Sequence, residues 1–190
     1  MSLIKTGLLA LLIVIAPYVS YCGRPYDSNY EPWENVLEDA GDFIQLGLPA
    51  TALGLTIFKK DWQGTKKFAL SYGTTMAITH LSKSTIRKKR PDRPAYNAFP
   101  SGHTSSAFSG AAFIQRRYGW KLGIPSYFLA SLTGFSRIRT GHHDIWDVLA
   151  GATLGIGTTY LFTKPYKKPA LDVGFVATGK LKMITLKYQF

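Results

Sequence analysis

Three basic residues in the middle of the chain belong to short sequence groups, and their types suit the binding of a phosphate. Lys83 is followed, after six residues, by Arg90 and a proline, and Arg137 follows a serine further along. The planar guanidinium of arginine can donate to two phosphate oxygens at once, whereas lysine supplies a point charge. The sequence therefore predicts that Lys83, Arg90 and Arg137 bind a phosphoryl group.

The turn sequence Pro100-Ser101-Gly102-His103 precedes an apolar stretch that predicts a helix over 107–114. Proline and glycine favour a turn there, and the start of a helix leaves backbone N–H groups that can point at an anion. Gly102 allows the backbone to approach a phosphate closely. The hydroxyl of Ser101 is expected to add one more donor.

His143 and Asp147 are the candidates for a reactive pair. They are four residues apart, so on a helix that begins near Gly141 they lie on one face, and the carboxylate can hold one imidazole nitrogen. This contact fixes the tautomer and leaves the other nitrogen free to attack phosphorus. Water would then release phosphate from the phosphohistidine. The departing alkoxide needs a proton, which a second histidine can supply as general acid.

Together these groups resemble the signature of the type 2 phosphatidic acid phosphatase (PAP2) family and its vanadium haloperoxidase relatives. The signature has three blocks: Lys, six residues, Arg-Pro; then Pro-Ser-Gly-His; then Ser-Arg, five residues, His, three residues, Asp. All three occur here in order, which is far more specific than one short match. The resemblance implies that His143 is the nucleophile, His103 the general acid and Asp147 the residue that orients the nucleophile. It implies phosphate-binding roles for Lys83, Arg90, Ser101, Gly102 and Arg137.

The other histidines and a second Arg-Pro pair are weaker candidates. His142 lacks the spacings of His143 and is interpreted as a flanking residue, and Arg93 has isoleucine at the matching upstream distance. His80 matches no block and is predicted to be buried and hydrogen-bonded. A zinc site made of the histidines and Asp147 is disfavoured, because the converging cations would repel a dication. No metal or cofactor is predicted, apart from vanadate as a phosphate mimic.

The chain is strongly basic, with 23 lysines and arginines against 11 acidic residues and a net charge of +12. Such an excess fits nucleic acid, an anionic membrane surface or an anionic substrate. No nucleic-acid motif is present, and six basic residues fall within 83–93. A phosphorylated lipid or a small phosphate ester is therefore favoured as the partner over nucleic acid. The run Arg87-Lys88-Lys89-Arg90 is interpreted as a solvated loop.

The first 22 residues have the pattern of an export signal. Lys5 supplies the positive start, residues 8–15 the apolar core, and Ser20 and Cys22 the spacing of a signal-peptidase site. The alternative is an uncleaved anchor, since residues 6–23 carry no charge. Either version predicts an exported protein, in the cell membrane with its site facing the periplasm or in the periplasm itself.

Acidic residues are concentrated in 27–42, which holds six of the eleven. Trp33, Val36, Leu37 and Ala40 follow helical spacing in this stretch. An amphipathic helix with a solvated acidic face is predicted there, rather than a metal site.

Apolar runs rich in glycine, alanine and leucine predict further helices packed tightly on each other. They cover 43–58, 68–82, 107–114, 122–135 and 148–162. A membrane-spanning helix needs about 20 apolar residues, and the first two runs have only 16 and 15. Membrane association is still favoured over a freely soluble periplasmic enzyme, because glycine-rich helices pack well in membranes and many members of the resembled family are membrane enzymes.

The sequence changes character after Pro165. Leu171, Val173 and Phe175 alternate with polar or small residues, a turn is expected at 179–180, and the alternation resumes towards the C-terminus, which predicts a β hairpin or strand tail. The predicted fold class is mainly α, a PAP2-like helical bundle with this short β tail. The predicted segments are a signal or anchor at 1–22, a PAP2-like phosphatase domain at 23–165 and the tail at 166–190.

The expected function is metal-independent hydrolysis of a phosphate monoester or diphosphate, first of all that of a lipid, through a phosphohistidine. A vanadium-dependent haloperoxidase is the main alternative, since vanadate fits the same kind of pocket. Small size and the export signal favour the phosphatase. A non-catalytic anion-binding module is the third hypothesis. It is disfavoured because every proposed catalytic position holds a residue that can perform its role.

Overall fold

The computed structural model describes residues 31–92, 95–166, 170–178 and 181–189, and it is mainly helical, as predicted. The helices are α1 (Pro32–Phe58), α2 (Trp62–Thr85), α3 (Gly102–Tyr118), α4 (Trp120–Arg139) and α5 (Ile145–Phe162). Strands β1 (Ala170–Thr178) and β2 (Leu181–Gln189) pair antiparallel, with Val173 opposite Leu186. The predicted export signal, Arg93 and the turn at 179–180 lie outside the described residues.

Helix α3 lies at the centre of the bundle and packs against all four other helices. Small residues such as Ala107, Ala111 and Ala112 on this helix are fully buried. Larger side chains fill the space beside it, and the rings of Phe68 and Phe113 meet edge to face with centroids 4.9 Å apart, a favoured aromatic geometry. This packing fixes the first residues of α3, which belong to the Pro-Ser-Gly-His turn.

Two glycines bring α5 against the start of α3. A Cβ atom at Gly151 would lie 2.6 Å from the carbonyl oxygen of Ser101, and one at Gly155 would lie 2.6 Å from that of Ser105. Small residues spaced by four let helices approach this closely. The contact places Asp147, one turn before Gly151, beside the turn, where its carbonyl oxygen accepts a hydrogen bond of 2.9 Å from the Ser101 N–H.

Helix α1 is one continuous helix, whereas the sequence predicted an amphipathic segment around 33–40 and a separate apolar run from 43. Gly41 lies between the two parts, and a Cβ atom there would collide with the Ser136 side chain of α4. The glycine therefore serves the close packing of α1 on α4 and does not end the helix.

The outer surface of the bundle carries many large apolar side chains. Phe58, Leu81, Phe128 and Leu161 are all strongly exposed, and α1 and α5 are long and apolar enough to cross a membrane by length and composition. These features support membrane association. His80 is exposed on α2, so the prediction that it is buried was wrong: part of the apolar run around it faces outward.

Candidate active site

His143 lies in the turn before α5, not on a helix starting near Gly141 as predicted. The helix begins at Ile145 with Asp144 as its N-cap, and the Asp144 side chain accepts from the Asp147 N–H at 3.0 Å. In return the Asp147 carboxylate accepts from the Asp144 N–H at 3.3 Å, which completes a capping box. The cap turns Asp147 towards the loop, where its Oδ2 lies 3.4 Å from Nδ1 of His143. The predicted pair therefore meets.

The environment of His143 favours the neutral imidazole. Burial is the largest cause that lowers the pKa of His143, to about 2, and the positive charges of Lys83 and Arg90 lower it further. A neutral imidazole has one nitrogen with a free electron pair. Since Nδ1 faces Asp147, the nitrogen available for nucleophilic attack is Nε2.

Lys88 is a member of the site that the sequence analysis missed, because the run around it was interpreted as a solvated loop. Its ammonium group donates to Oδ1 of Asp147 at 2.8 Å and also contacts the carboxylate of Asp144. Burial alone would lower the pKa of Lys88, but the hydrogen bonds to the two aspartates outweigh it and raise the pKa. Asp147, fully buried, is thereby held between Lys88 and His143.

Replacing Lys88 by methionine should lower kcat about tenfold, which corresponds to about 1.4 kcal/mol in the activation barrier, with little change in KM. Methionine keeps most of the apolar stem but removes the charge that holds the Asp147 carboxylate in place. Steady-state phosphate release measures the effect. Lys89→Met is the matched control, since the Lys89 side chain is exposed; equal losses in both variants would contradict a specific role for Lys88.

Lys83 and Arg90 are both held by Asn97. The Lys83 ammonium donates to the Asn97 carbonyl oxygen at 2.8 Å, and Nε of Arg90 donates to the Asn97 side-chain oxygen at 2.7 Å. A Cβ atom at Gly102 would lie 3.6 Å from Cε of Lys83, so Lys83 passes directly over the start of α3. Asn97 belongs to none of the predicted blocks, and its position is set by the folding of the loop.

Ser101 is the N-cap of α3 and is fully buried. Its Oγ accepts from the Thr104 N–H at 3.4 Å and from the Thr104 hydroxyl at 2.9 Å. Because Oγ is the acceptor in both contacts, its own hydrogen is still available for donation. The cap fixes where α3 begins, at Gly102, and His103 follows in its first turn.

Arg137 and His103 meet at a carboxylate from α1. Oδ1 of Asp42 lies 3.0 Å from Nε2 of His103 and 3.0 Å from Nη1 of Arg137. Arg137 is buried, and it donates to the Glu38 carbonyl oxygen at 2.8 Å and to the Ser136 hydroxyl at 3.1 Å. The guanidinium is thus fixed by α1 and α4 together.

The acidic face of α1 was predicted to be solvated, and this prediction was wrong: part of it is turned towards the site. Glu34, Glu38 and Asp42 are spaced by four and so lie on one side of the helix. Glu34 pairs with Arg139 at 2.9 Å, and Glu38 contacts Nε2 of His142 at 2.7 Å. The spacing is visible in the sequence, but it does not reveal which surface the stripe faces.

His142 is a buried link between α1 and the loop that carries Arg90. Its Nδ1 contacts the Asp92 carboxylate and its Nε2 that of Glu38. His142 is therefore more than the flanking residue that the sequence suggested, because it connects this loop to the bundle beside His143.

The assembled site suits an anion. Lys83 and Arg90 provide positive charge near His143, and Arg137 provides it near His103. Within the ranges that the structure describes, no group of three or more His, Cys, Asp or Glu side chains is arranged to hold a metal ion. The geometry combines a buried imidazole that favours its neutral form, a carboxylate beside it and cations. These groups are suited to nucleophilic attack on a phosphate.

Comparison with known proteins gives the same indication. A family model described as the PAP2 superfamily matches residues 64–169. The lipid A 4'-phosphatase of Helicobacter pylori strain J99 is 35% identical over 143 residues, which cover 70% of this chain and 72% of that protein. The matched relative is a phosphatase, which favours the phosphatase reading over the haloperoxidase.

Two crystal structures share the fold. That of Aquifex aeolicus LpxE has a TM-score of 0.61 at 20% identity and covers 70% of this chain and 86% of its own. That of a transmembrane PAP2-type phosphatidylglycerolphosphate phosphatase from Bacillus subtilis has a TM-score of 0.58 at 24% identity, with coverage of 85% and 92%. At these identities the likeness establishes the arrangement of the helices.

Proposed function

The chain belongs to the PAP2 superfamily, and from that premise we propose that it removes a terminal phosphate from a phosphorylated lipid through a phosphohistidine at His143. The observation that carries the proposal is the buried His143, whose pKa is lowered to about 2 and whose Nδ1 faces Asp147 at 3.4 Å. Such a histidine is neutral, oriented and surrounded by cations. It can act as a nucleophile without a metal.

The proposed reaction has two steps. In the first, Nε2 of His143 forms a bond to phosphorus, the ester P–O bond breaks, and the leaving oxygen takes a proton from His103. In the second, His103 takes a proton from water, the hydroxide oxygen bonds to phosphorus, the P–N bond breaks, and phosphate leaves. Lys83, Arg90 and Arg137 stabilise the charge on the phosphoryl oxygens, with Ser101 and the backbone at Gly102 as further donors.

A lipid is proposed as the substrate because of what similar proteins act on and because of the outer surface of the bundle. The Helicobacter pylori relative is a lipid A 4'-phosphatase, and one structural neighbour is a phosphatidylglycerolphosphate phosphatase. The exposed apolar side chains of α4 and α5, including Phe128 and Leu161, suit contact with acyl chains. A small soluble phosphate ester is the alternative.

Exposed tryptophans at both ends of the bundle support a membrane-embedded arrangement. Trp33 and Trp146 begin α1 and α5 at the end that carries the site, and Trp62 and Trp120 begin α2 and α4 at the opposite end. They are 49%, 69%, 49% and 60% exposed in that order, and tryptophan favours membrane–water interfaces. The 18 residues of α5 extend about 27 Å, close to a hydrocarbon thickness of about 30 Å.

The periplasmic orientation of the site rests on two arguments. The predicted export signal at 1–22 would deliver the start of α1, and with it the site, to the outer side of the membrane. The opposite end, called here the basic end, has eight basic residues and one acidic residue, Asp61, among those described. Its basic residues, which suit a cytoplasmic surface, are Lys59, Lys60, Lys66, Lys67, Arg116, Arg117, Lys121 and Lys164.

Cysteine labelling tests this orientation. Cys22 is the one cysteine of the chain, so a Cys22→Ala background accepts single cysteines at Lys89, an exposed residue near the site, or at Lys121, an exposed residue of the basic end. In intact cells with a permeable outer membrane, an impermeant maleimide should label Lys89→Cys, and it should label Lys121→Cys only after lysis. The reverse pattern would place the site in the cytoplasm.

The remaining parts of the architecture are also proposals. We propose a PAP2-like phosphatase domain over 23–165, preceded by the signal or anchor and followed by the β hairpin of β1 and β2 as a C-terminal tail.

Phosphate release by the detergent-purified protein tests the function. With chelator present, we expect release from at least one member of a panel that contains lipid A, phosphatidylglycerophosphate, undecaprenyl diphosphate and p-nitrophenyl phosphate. The lipid members should react faster than the soluble one. Release that disappears with chelator and returns with added divalent metal would contradict a metal-independent mechanism, and no release from any member would contradict the phosphatase proposal.

A further inference from the structure

Asp42 lies between two of the predicted site residues although no motif includes it. Its Oδ1 is 3.0 Å from Nε2 of His103 and 3.0 Å from Nη1 of Arg137. The Asp42 side chain is only 16% exposed, so water screens these contacts weakly. A carboxylate in this position acts on both partners.

Backbone packing keeps Asp42 in place. A Cβ atom at the preceding Gly41 would collide with the Ser136 side chain and lie 3.0 Å from Nη2 of Arg137. One turn earlier, the carbonyl oxygen of Glu38 accepts from Nη2 of Arg137 at 2.8 Å. The distance between Asp42 and the arginine is therefore set by the contact of α1 with α4.

We propose that Asp42 is a positioning residue for His103. The site then contains two aspartate–histidine pairs, and the carboxylate faces a different imidazole nitrogen in each. In the first pair, Asp147 faces Nδ1 of His143 and leaves Nε2 to attack. In the second, Asp42 faces Nε2 of His103 and leaves Nδ1 to deliver the proton. The inference rests on the proposed function, since it needs a leaving group to protonate.

The neighbourhood of His103 explains why a carboxylate is needed there. Burial and the positive charge of Arg137 both disfavour a protonated imidazole at His103. Asp42 offsets that charge and stabilises the imidazolium form. During the first step the Nδ1 proton passes to the leaving oxygen, while Nε2 keeps its proton and stays 3.0 Å from Asp42. In the second step water returns a proton to Nδ1. Asp42 itself is never protonated.

The variant Asp42→Asn tests the proposal with two substrates of similar shape, phenyl phosphate and p-nitrophenyl phosphate. Phenolate is the poorer leaving group and needs protonation more. We expect kcat for phenyl phosphate to fall about 30-fold, within the range that general acid catalysis contributes, and kcat for p-nitrophenyl phosphate to fall less than about threefold. KM should change little for either substrate. Glu34→Gln is the control, because Glu34 lies on the same stripe but pairs with Arg139 outside the site.

The outcomes separate this inference from the proposed function. Equal slowing with both substrates would overturn the role of Asp42 and leave the phosphatase standing, whereas a wild-type protein that hydrolyses neither would overturn both. A third outcome is that phosphate inhibits Asp42→Asn more tightly than the wild type while the ratio of kcat for the two substrates is unchanged. This would show that Asp42 only competes with phosphate for the cations, and it would also overturn the proposal. If vanadate raises the Tm of Asp42→Asn as it does that of the wild type, the variant is folded. If Asp42→Asn does not fold, the ratio of kcat for the two substrates in Asp42→Glu tests the proposal in the same way.

Discussion

Replacing His143 by alanine should lower phosphate release at least about ten-thousand-fold, the scale of loss when a covalent nucleophile is removed. The cations would still bind the phosphate, but no group at that position could form the bond to phosphorus. The His143 side chain is buried, and among the described residues its polar contact is the one with Asp147 at 3.4 Å. The variant should therefore still fold and still bind vanadate.

His80→Ala is the matched control for this experiment, since it removes an exposed histidine of α2 that belongs to none of the three sequence blocks, and it should keep wild-type rates. A second measurement follows the intermediate directly. Rapid quenching in base during turnover of a radiolabelled substrate should trap a base-stable, acid-labile phosphoramidate in the wild type and none in His143→Ala. If the variant keeps more than about 1% of the wild-type kcat, its loss of activity is smaller than the removal of a nucleophile predicts. That result would show that the attacking group lies elsewhere.

The sequence was sufficient to predict the contact between His143 and Asp147 and the family. His143 and Asp147 are close in the chain, so their contact survives even though the predicted helix start near Gly141 was wrong. The capping box of Asp144 provides the contact instead. Local spacing determines such arrangements almost independently of the rest of the fold.

The residues that sequence reasoning missed reach the site through long-range packing. Asp42 and Glu38 come from α1, and Asn97 and Lys88 come from a loop whose course depends on the ends of α2 and α3. An acidic stripe on a helix usually faces water, and charge pattern alone did not indicate otherwise. A physical signal was nevertheless present: a site whose cations are partly or fully buried needs counter-charges, and the evenly spaced acidic residues of α1 are one source of them.

Burial was the other quantity that the sequence predicted poorly. His80 was expected to be buried because its neighbours are apolar, but Ile78 and Leu81 beside it are themselves exposed. In the membrane-embedded arrangement proposed above, apolar residues occupy outward positions as well as the core. An apolar run then indicates a helix without indicating which of its faces is inside.

A large loss of stability is expected when Gly155 is replaced. A Cβ atom there would lie 2.6 Å from the Ser105 carbonyl oxygen and 2.8 Å from the Ser109 backbone nitrogen of α3. Backbone atoms cannot turn away as a side chain can, so α5 must move by several tenths of an ångström. We expect Gly155→Ala to lower the free energy of unfolding by about 2 to 3 kcal/mol, the usual range for an overpacked contact, measured by denaturation in detergent.

Gly157 provides the control on the same helix. Among the described residues, no atom apart from the nearby backbone of its own helix lies within 4 Å of a Cβ placed there. Alanine has the higher helix propensity, so Gly157→Ala should leave stability unchanged or raise it by up to about 1 kcal/mol. The two variants make the same chemical change two residues apart, and their difference isolates the contact between α3 and α5. Since α5 also carries Asp147, Gly155→Ala should lower kcat as well. Equal stabilities of the two variants would show that this contact does not hold the helices at the distance on which the site depends.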